Sequence, residues 1–219
     1  MAPNAVLQRM WQARATAIIR TDSQQVAGEA MAAAVAGGFR VIEFTLGCPG
    51  AFDLVEEFAR RDDLLVGVGT VLEPEQARRA VAAGARFIVS PVTDERVIAE
   101  ALAHDAVAMP GTFTATEMER AHRAGAQLQK LFPAPPNGPE YVRMLLGPLP
   151  FLNIVPTSGV TADNAAEWLR SGVFGVGFVA SLFDADLMRE RDYEGIRRRA
   201  EACLRAVAAV DRPDEFSSK

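Results

Sequence analysis

Ala126-Gln127-Leu128-Gln129-Lys130-Leu131-Phe132-Pro133 alternates apolar and polar residues as a strand does, and its last charged residue is a lysine set beside Leu131, Phe132 and Pro133. Burying an ammonium among apolar neighbours is costly, so desolvation at such a place pushes lysine towards the neutral amine that attacks carbonyls. The octapeptide alone leaves a second reading open, in which Lys130 ends an exposed edge strand and reaches into water. The rest of the chain has to decide between them.

Working outward, short runs rich in Val and Ile recur at Ala15–Ile19, Arg40–Thr45, Leu64–Gly69, Arg86–Ser90, Ala106–Met109, Ala126–Phe132, Phe151–Val155 and Gly175–Ala180. Near-continuous apolar runs of this kind mark strands covered on both faces, and therefore a parallel sheet. Amphipathic segments separate them: Ser23–Ala36 after an N-cap at Thr21-Asp22, then Pro49–Arg61, Glu73–Ala83, Thr93–Ala103, Thr114–Ala124, Pro139–Leu146, Thr161–Ser171 and Tyr193–Val210. Thr114 with Glu117 three residues on forms a capping-box pattern, and Gly37-Gly38, Gly84 and Gly125 supply helix stops. Eight strand–helix units preceded by a short helix over Val6–Ala13 predict an α/β fold, the (β/α)8 or TIM barrel. The alternative is a doubly wound open sheet, but no Gly-x-Gly-x-x-Gly turn follows the first strand.

The 219 residues, 49% hydrophobic, suffice for one such domain over 1–210, with the polar stretch 211–219 expected as a loose tail. A net charge of −5 argues against nucleic acid or an anionic membrane as partner. Cys48 and Cys203 stand far apart with no second Cys or His at ligand spacing, so no zinc site or disulfide framework is expected, and a reducing cytoplasm fits. The first residues lack the apolar run of a signal peptide, and no segment reaches membrane-spanning length.

In a barrel of this type the chemistry gathers where the strands end. Those ends carry Arg20, Glu43 with Thr45, Thr70, Ser90-Pro91, Pro110-Gly111-Thr112, Lys130 with Phe132, Thr157-Ser158-Gly159 and Ser181. Glu43 sits in the otherwise apolar Val41-Ile42-Glu43-Phe44-Thr45, so an inward carboxylate there needs a partner. Across one mouth, Lys130 as nucleophile and Glu43 as proton shuttle are the parts of imine catalysis; a structural ion pair with Lys130 or Arg20 is the other use for the carboxylate. Thr70, Thr157 and Ser158 suit substrate contact or simple turn and cap roles. Thr157-Ser158-Gly159 before a helix also suits an anion.

Beyond these residue arguments, Val41-Ile42-Glu43-Phe44-Thr45, Val66-Gly67-Val68-Gly69-Thr70-Val71, Phe87-Ile88-Val89-Ser90-Pro91, Met109-Pro110-Gly111, Lys130-Leu131-Phe132-Pro133 and Pro156-Thr157-Ser158-Gly159-Val160 together give the chain a family resemblance. From about Ala15 to Val210 it resembles the bacterial 2-keto-3-deoxy-6-phosphogluconate (KDPG) / 4-hydroxy-2-oxoglutarate (KHG) aldolases, class I lyases that use a lysine imine. The resemblance implies Lys130 as the Schiff-base lysine and Glu43 as the acid/base residue. It implies Thr70, Pro91 and Phe132 in the pyruvate pocket, and Thr157, Ser158 and Gly159 in a phosphate-binding loop. It also implies a homotrimer and a place in Entner–Doudoroff carbohydrate metabolism.

The chain departs from that pattern in three places. Gly47 stands where many members carry a carboxylate-binding arginine, so Arg20 is the expected clamp. Ser158 replaces a glycine, and Val179-Ala180-Ser181 replaces a Gly-Ser. The expectation is therefore reversible cleavage of a 2-keto-3-deoxy sugar acid, KDPG first, to pyruvate and glyceraldehyde 3-phosphate. No metal or cofactor is expected, because the iminium does the work of a Lewis acid. Related lyase activities remain as alternatives: KHG cleavage, oxaloacetate decarboxylation, or an unphosphorylated or galactonate-type substrate. A non-catalytic ligand-binding barrel would not need Lys130 and Glu43 together. A phosphosugar epimerase barrel would need carboxylate or metal-ligand pairs at the strand ends, and no suitable His is available, since His104 and His122 fall within or at the ends of outer helices.

Overall fold

The computed structural model describes residues 1–211, so the expected tail lies, from 212 onward, outside the described residues. The chain alternates α1 (Pro3–Ala13), β1 (Ala15–Ile19), α2 (Gln24–Ala36), β2 (Val41–Thr45), α3 (Ala51–Ala59), β3 (Leu65–Gly69), α4 (Pro74–Ala82), β4 (Phe87–Val89) and α5 (Glu95–Ala103). It continues with β5 (Val107–Met109), β6 (Gly111–Thr112), α6 (Ala115–Arg123), β7 (Gln129–Leu131), α7 (Gly138–Leu146), β8 (Ile154–Pro156), α8 (Ala165–Arg170), β9 (Val176–Phe178), α9 (Ala185–Glu190) and α10 (Tyr193–Ala208). All strand pairs are parallel, as the apolar runs require.

One continuous eight-stranded sheet was the expectation. The strands instead form a six-stranded half-barrel, β5-β4-β3-β2-β1-β9, and a three-stranded sheet, β6-β7-β8. Pro110 is the physical reason at one seam. It has no N–H to donate, so the ladder of the fifth strand is interrupted between Met109 and Gly111, while the Pro110 carbonyl still accepts from Lys130 N–H at 2.9 Å. At the other seam no ladder joins the three-residue β9 to β8 among the described residues; a Thr157–Gly177 bridge and the bond from Phe174 N–H to Ile154 O link the two segments.

Strand alternation sorts the side chains into two cores. Val41, Leu65, Phe87, Val107, Leu128 and Val155 point inward and meet Val6, Leu7 and Met10 of α1, which closes the end of the sheets opposite the strand C-termini. Ile42, Phe44, Val66, Val68 and Ile88 point outward into the larger core beneath the helices. The same parity carries Glu43 and Thr45 inward above Val41, and Lys130 inward above Leu128. Helix starts follow local chemistry: the Thr114–Glu117 capping box forms as expected, while α2 is capped by Ser23, which accepts from Val26 N–H at 3.3 Å, rather than by Thr21-Asp22.

Candidate active site

Above the inner core, at the C-terminal ends of the strands, lies a cavity of about 560 Å³. Nine of the sequence-predicted residues border it: Arg20, Glu43, Thr45, Lys130, Phe132, Thr157, Ser158, Gly159 and Ser181. Two do not. Thr70 stands just behind Arg20 and accepts from its Nη2 at 3.4 Å, and the Pro91 carbonyl instead packs over Gly111, where an added Cβ would stand 2.3 Å away. Lining residues that sequence reasoning did not select are Ile18, Val160, Thr161, Val179 and Ala180. The first is an ordinary apolar strand residue and carried no signal.

Lys130 is only 8% exposed, on β7, with its ammonium 5.0 Å from the centre of the Phe132 ring. The edge-strand reading is thereby excluded, since β7 lies between β6 and β8. Burial lowers the Lys130 pKa; Glu43 opposes that shift and Arg20 adds to it. Glu43 is fully buried, and burial raises its pKa against the pull of Lys130 and Arg20. Each group is thus moved towards its uncharged form: an amine able to attack and a carboxyl able to give up or take a proton.

Three buried oxygens have no hydrogen-bond partner among the described residues: Glu43 Oε1, Glu43 Oε2 and Thr157 Oγ1. Buried polar atoms are ordinarily satisfied, and these three border one cavity, so they are acceptors and a donor available to a bound molecule. Room for the carboxylate comes from the neighbouring strand. Gly69 lies so close beneath it that an added Cβ would stand 1.8 Å from Glu43 Oε1, and an added Cβ on Gly67 would stand 2.3 Å from the Phe87 ring. The glycine pair in Val66-Gly67-Val68-Gly69 is the sequence signal for this close approach.

The remaining polar groups are largely committed to the frame. Thr45 Oγ1 donates to Ile19 O at 3.0 Å and holds the end of β1, which carries Arg20. Ser181 Oγ donates to Val160 O at 2.6 Å, so its hydroxyl ties two rim loops together. Ser158 and Gly159 both take left-handed backbone angles, φ 71° and 75°, which is easy for glycine and costly for serine. Gly47 is exposed and an added Cβ there would meet nothing within 4 Å, so Arg20 supplies the guanidinium of this cavity. Among the described residues, no group of three or more His, Cys, Asp or Glu could hold a metal ion.

Residues 6–199 match the family profile described as KDPG and KHG aldolase. A 2-dehydro-3-deoxy-6-phosphogalactonate aldolase of Escherichia coli (strain K12) is 34% identical over 178 residues, covering 80% of this chain and 87% of its own. A 2-dehydro-3-deoxy-phosphogluconate aldolase of Treponema pallidum (strain Nichols) is 39% identical over 139 residues, covering 63% of this chain and 66% of its own. The crystal structure of a KDPG aldolase from Legionella pneumophila, with pyruvate captured at low pH as a covalent carbinolamine intermediate, superposes with a TM-score of 0.82 at 27% identity, covering 93% of this chain and 98% of that one.

Proposed function

The chain belongs to the KDPG and KHG aldolase family, and from that premise we propose that it is a class I aldolase that cleaves 2-keto-3-deoxy-6-phosphogluconate to pyruvate and glyceraldehyde 3-phosphate. The observation that carries this reading is the pair of buried groups, Lys130 and Glu43, facing one cavity and both moved towards their neutral forms. Neutral Lys130 attacks the C2 ketone, and Glu43 assists loss of water from the carbinolamine. In the protonated imine, the C3–C4 bond breaks as a C4 hydroxyl proton passes to Glu43 and the bonding pair moves into the enamine. Glu43 then returns a proton to C3, and water releases pyruvate. Arg20 holds the C1 carboxylate, a task suited to a guanidinium. Thr157 Oγ1 is a free partner for a substrate hydroxyl, and Thr157-Ser158-Gly159 faces the phosphorylated end.

A C4-epimeric substrate is the second reading, favoured by the 34% identity to the E. coli phosphogalactonate enzyme. Measuring kcat/KM for the gluconate and galactonate acids, phosphorylated and unphosphorylated, and for 4-hydroxy-2-oxoglutarate separates them. A preference for the phosphorylated gluconate acid is expected; preference for any of the others transfers the assignment to it.

We read the two sheets as one (β/α)8 barrel, counting β5 and β6 as a single strand interrupted at Pro110, and residues 1–210 as one catalytic domain. Support comes from the Thr157–Gly177 bridge and the Lys130-to-Pro110 bond across the seams. The enzyme acts as a homotrimer in cytoplasmic Entner–Doudoroff metabolism. Supporting this are exposed Leu72, Val92 and Phe113 on successive rim loops, and the buried free thiols Cys48 and Cys203. Among the described residues, no helix is long and apolar enough to cross a membrane.

A further inference from the structure

A second cavity, of about 670 Å³, adjoins the reaction cavity and shares Arg20, Val179 and Ala180 with it as a common wall. It lies between the β1–α2 loop and α9. The reaction cavity alone, at about 560 Å³, is ample for a six-carbon sugar acid phosphate, so this neighbour is not needed to hold the substrate.

Its lining has a definite chemistry. Three guanidinium groups border it, those of Arg20, Arg189 and Arg191, against the single carboxylate of Asp22. Arg189 is engaged by Asp186 at 2.7 Å and Glu190 at 3.5 Å. Arg191 has no ion pair or side-chain hydrogen bond among the described residues, and Glu29, whose pKa it helps to lower, is already held by Tyr193 and Gln25. Among the described residues Arg20 makes one side-chain hydrogen bond, the long contact to Thr70, and no ion pair, acting on Glu43 and Lys130 only at longer range. Two uncommitted guanidiniums therefore border one space, whose other walls include Val26, Phe183 and Met188. Guanidinium forks match oxyanions, and an apolar wall suits the carbon part of an ester.

We propose that this cavity is a second, regulatory binding site for a small organic oxyanion of the phosphate-ester type, held by Arg191 and Arg20. The inference rests on the reading of Arg20 as the clamp for the keto acid carboxylate. Because Arg20 borders both spaces, an anion bound beside Arg191 draws its guanidinium from the reaction cavity. Keto acid and effector then antagonise one another, and the antagonism is reciprocal.

The test uses pyruvate, which has no phosphate and so does not report on the phosphorylated end of the substrate. The fraction of protein carrying a borohydride-reduced pyruvate adduct is measured against pyruvate concentration, with and without inorganic phosphate or glycerol 3-phosphate, at ionic strength held constant with chloride. Either anion should raise the half-saturating pyruvate concentration about fivefold or more. In Arg191→Ala the value without effector is unchanged and the shift is lost, while Arg191→Lys retains part of it. A larger shift with glycerol 3-phosphate than with phosphate identifies an ester as the ligand, and equal shifts identify the free oxyanion. No shift in the native protein, or the same shift in Arg191→Ala, overturns the proposal. If the native protein forms no adduct at all, the imine reading fails separately. The second site is then judged by a rise in Tm with phosphate, which must vanish in Arg191→Ala for the site to stand.

Discussion

The Glu43 carboxylate rests directly on Gly69, with only 1.8 Å between Oε1 and the position a Cβ would take. The carboxylate can stay where it is only while residue 69 has no side chain. Gly69 lacks a left-handed φ, so alanine is tolerated by the backbone and the conflict is confined to the acid/base group. Gly69→Ala is expected to lower kcat by about 10²-fold through displacement of Glu43. Overpacking should cost about 1–3 kcal/mol of stability, read by denaturant unfolding. Full activity in a folded Gly69→Ala would show that the carboxylate position is unimportant.

Thr157 separates stability from activity. Its Oγ1 is buried without a partner, a state that costs about 1–3 kcal/mol. Thr157→Val keeps the shape and removes that cost, so Tm should stay level or rise. If the hydroxyl contacts substrate, kcat/KM falls by about 10-fold or more. Equal kcat/KM in the two proteins would remove Thr157 from the site.

The pH dependence has a definite sign. Imine formation needs the free amine, so its rate climbs with pH to a plateau, and burial brings that midpoint below the ordinary lysine value of about 10.4. Glu43 raises the Lys130 pKa and Arg20 lowers it. The midpoint for pyruvate imine formation should therefore move down in Glu43→Gln and up in Arg20→Met, measured by rapid-quench trapping across pH. Shifts in the same direction would contradict the electrostatic picture. The unfolded chain also takes up this proton more readily than the folded one, so stability falls as pH drops through the folded-state value, and Lys130→Met removes that loss.

Much of this site could be read in the sequence because strand-end chemistry follows from strand parity. Once Val41 and Leu128 are inward, Glu43 and Lys130 must be inward too. Other features depend on three-dimensional detail that parity does not carry. The apolar run Ala106–Met109 stops before Pro110 and gives no sign that pairing resumes at Gly111–Thr112, and the six-residue α9 is too short to show a period. Ser181 reads as a strand-end hydroxyl, and its bond to Val160 O has no signature in the sequence. Pro91 sits at a strand end yet turns its carbonyl to Gly111 instead of the cavity. The second cavity joins residues 20–26 to 179–191, a juxtaposition with no local motif.

The rim residues Leu72 and Val92 are 45% and 51% exposed. If they form the subunit contact, Leu72→Asp with Val92→Asp should shift the light-scattering mass from trimer to monomer without loss of helical signal. A native protein that is already monomeric would refute the trimer.

The central claim is that Lys130 is the nucleophile. The protein is incubated with pyruvate and sodium borohydride, digested, and analysed by peptide mass spectrometry. One reduced pyruvyl adduct is expected, on Lys130, absent in Lys130→Met. An unmodified Lys130 in a protein that still cleaves the keto acid, or an adduct on Lys219 instead, would contradict it.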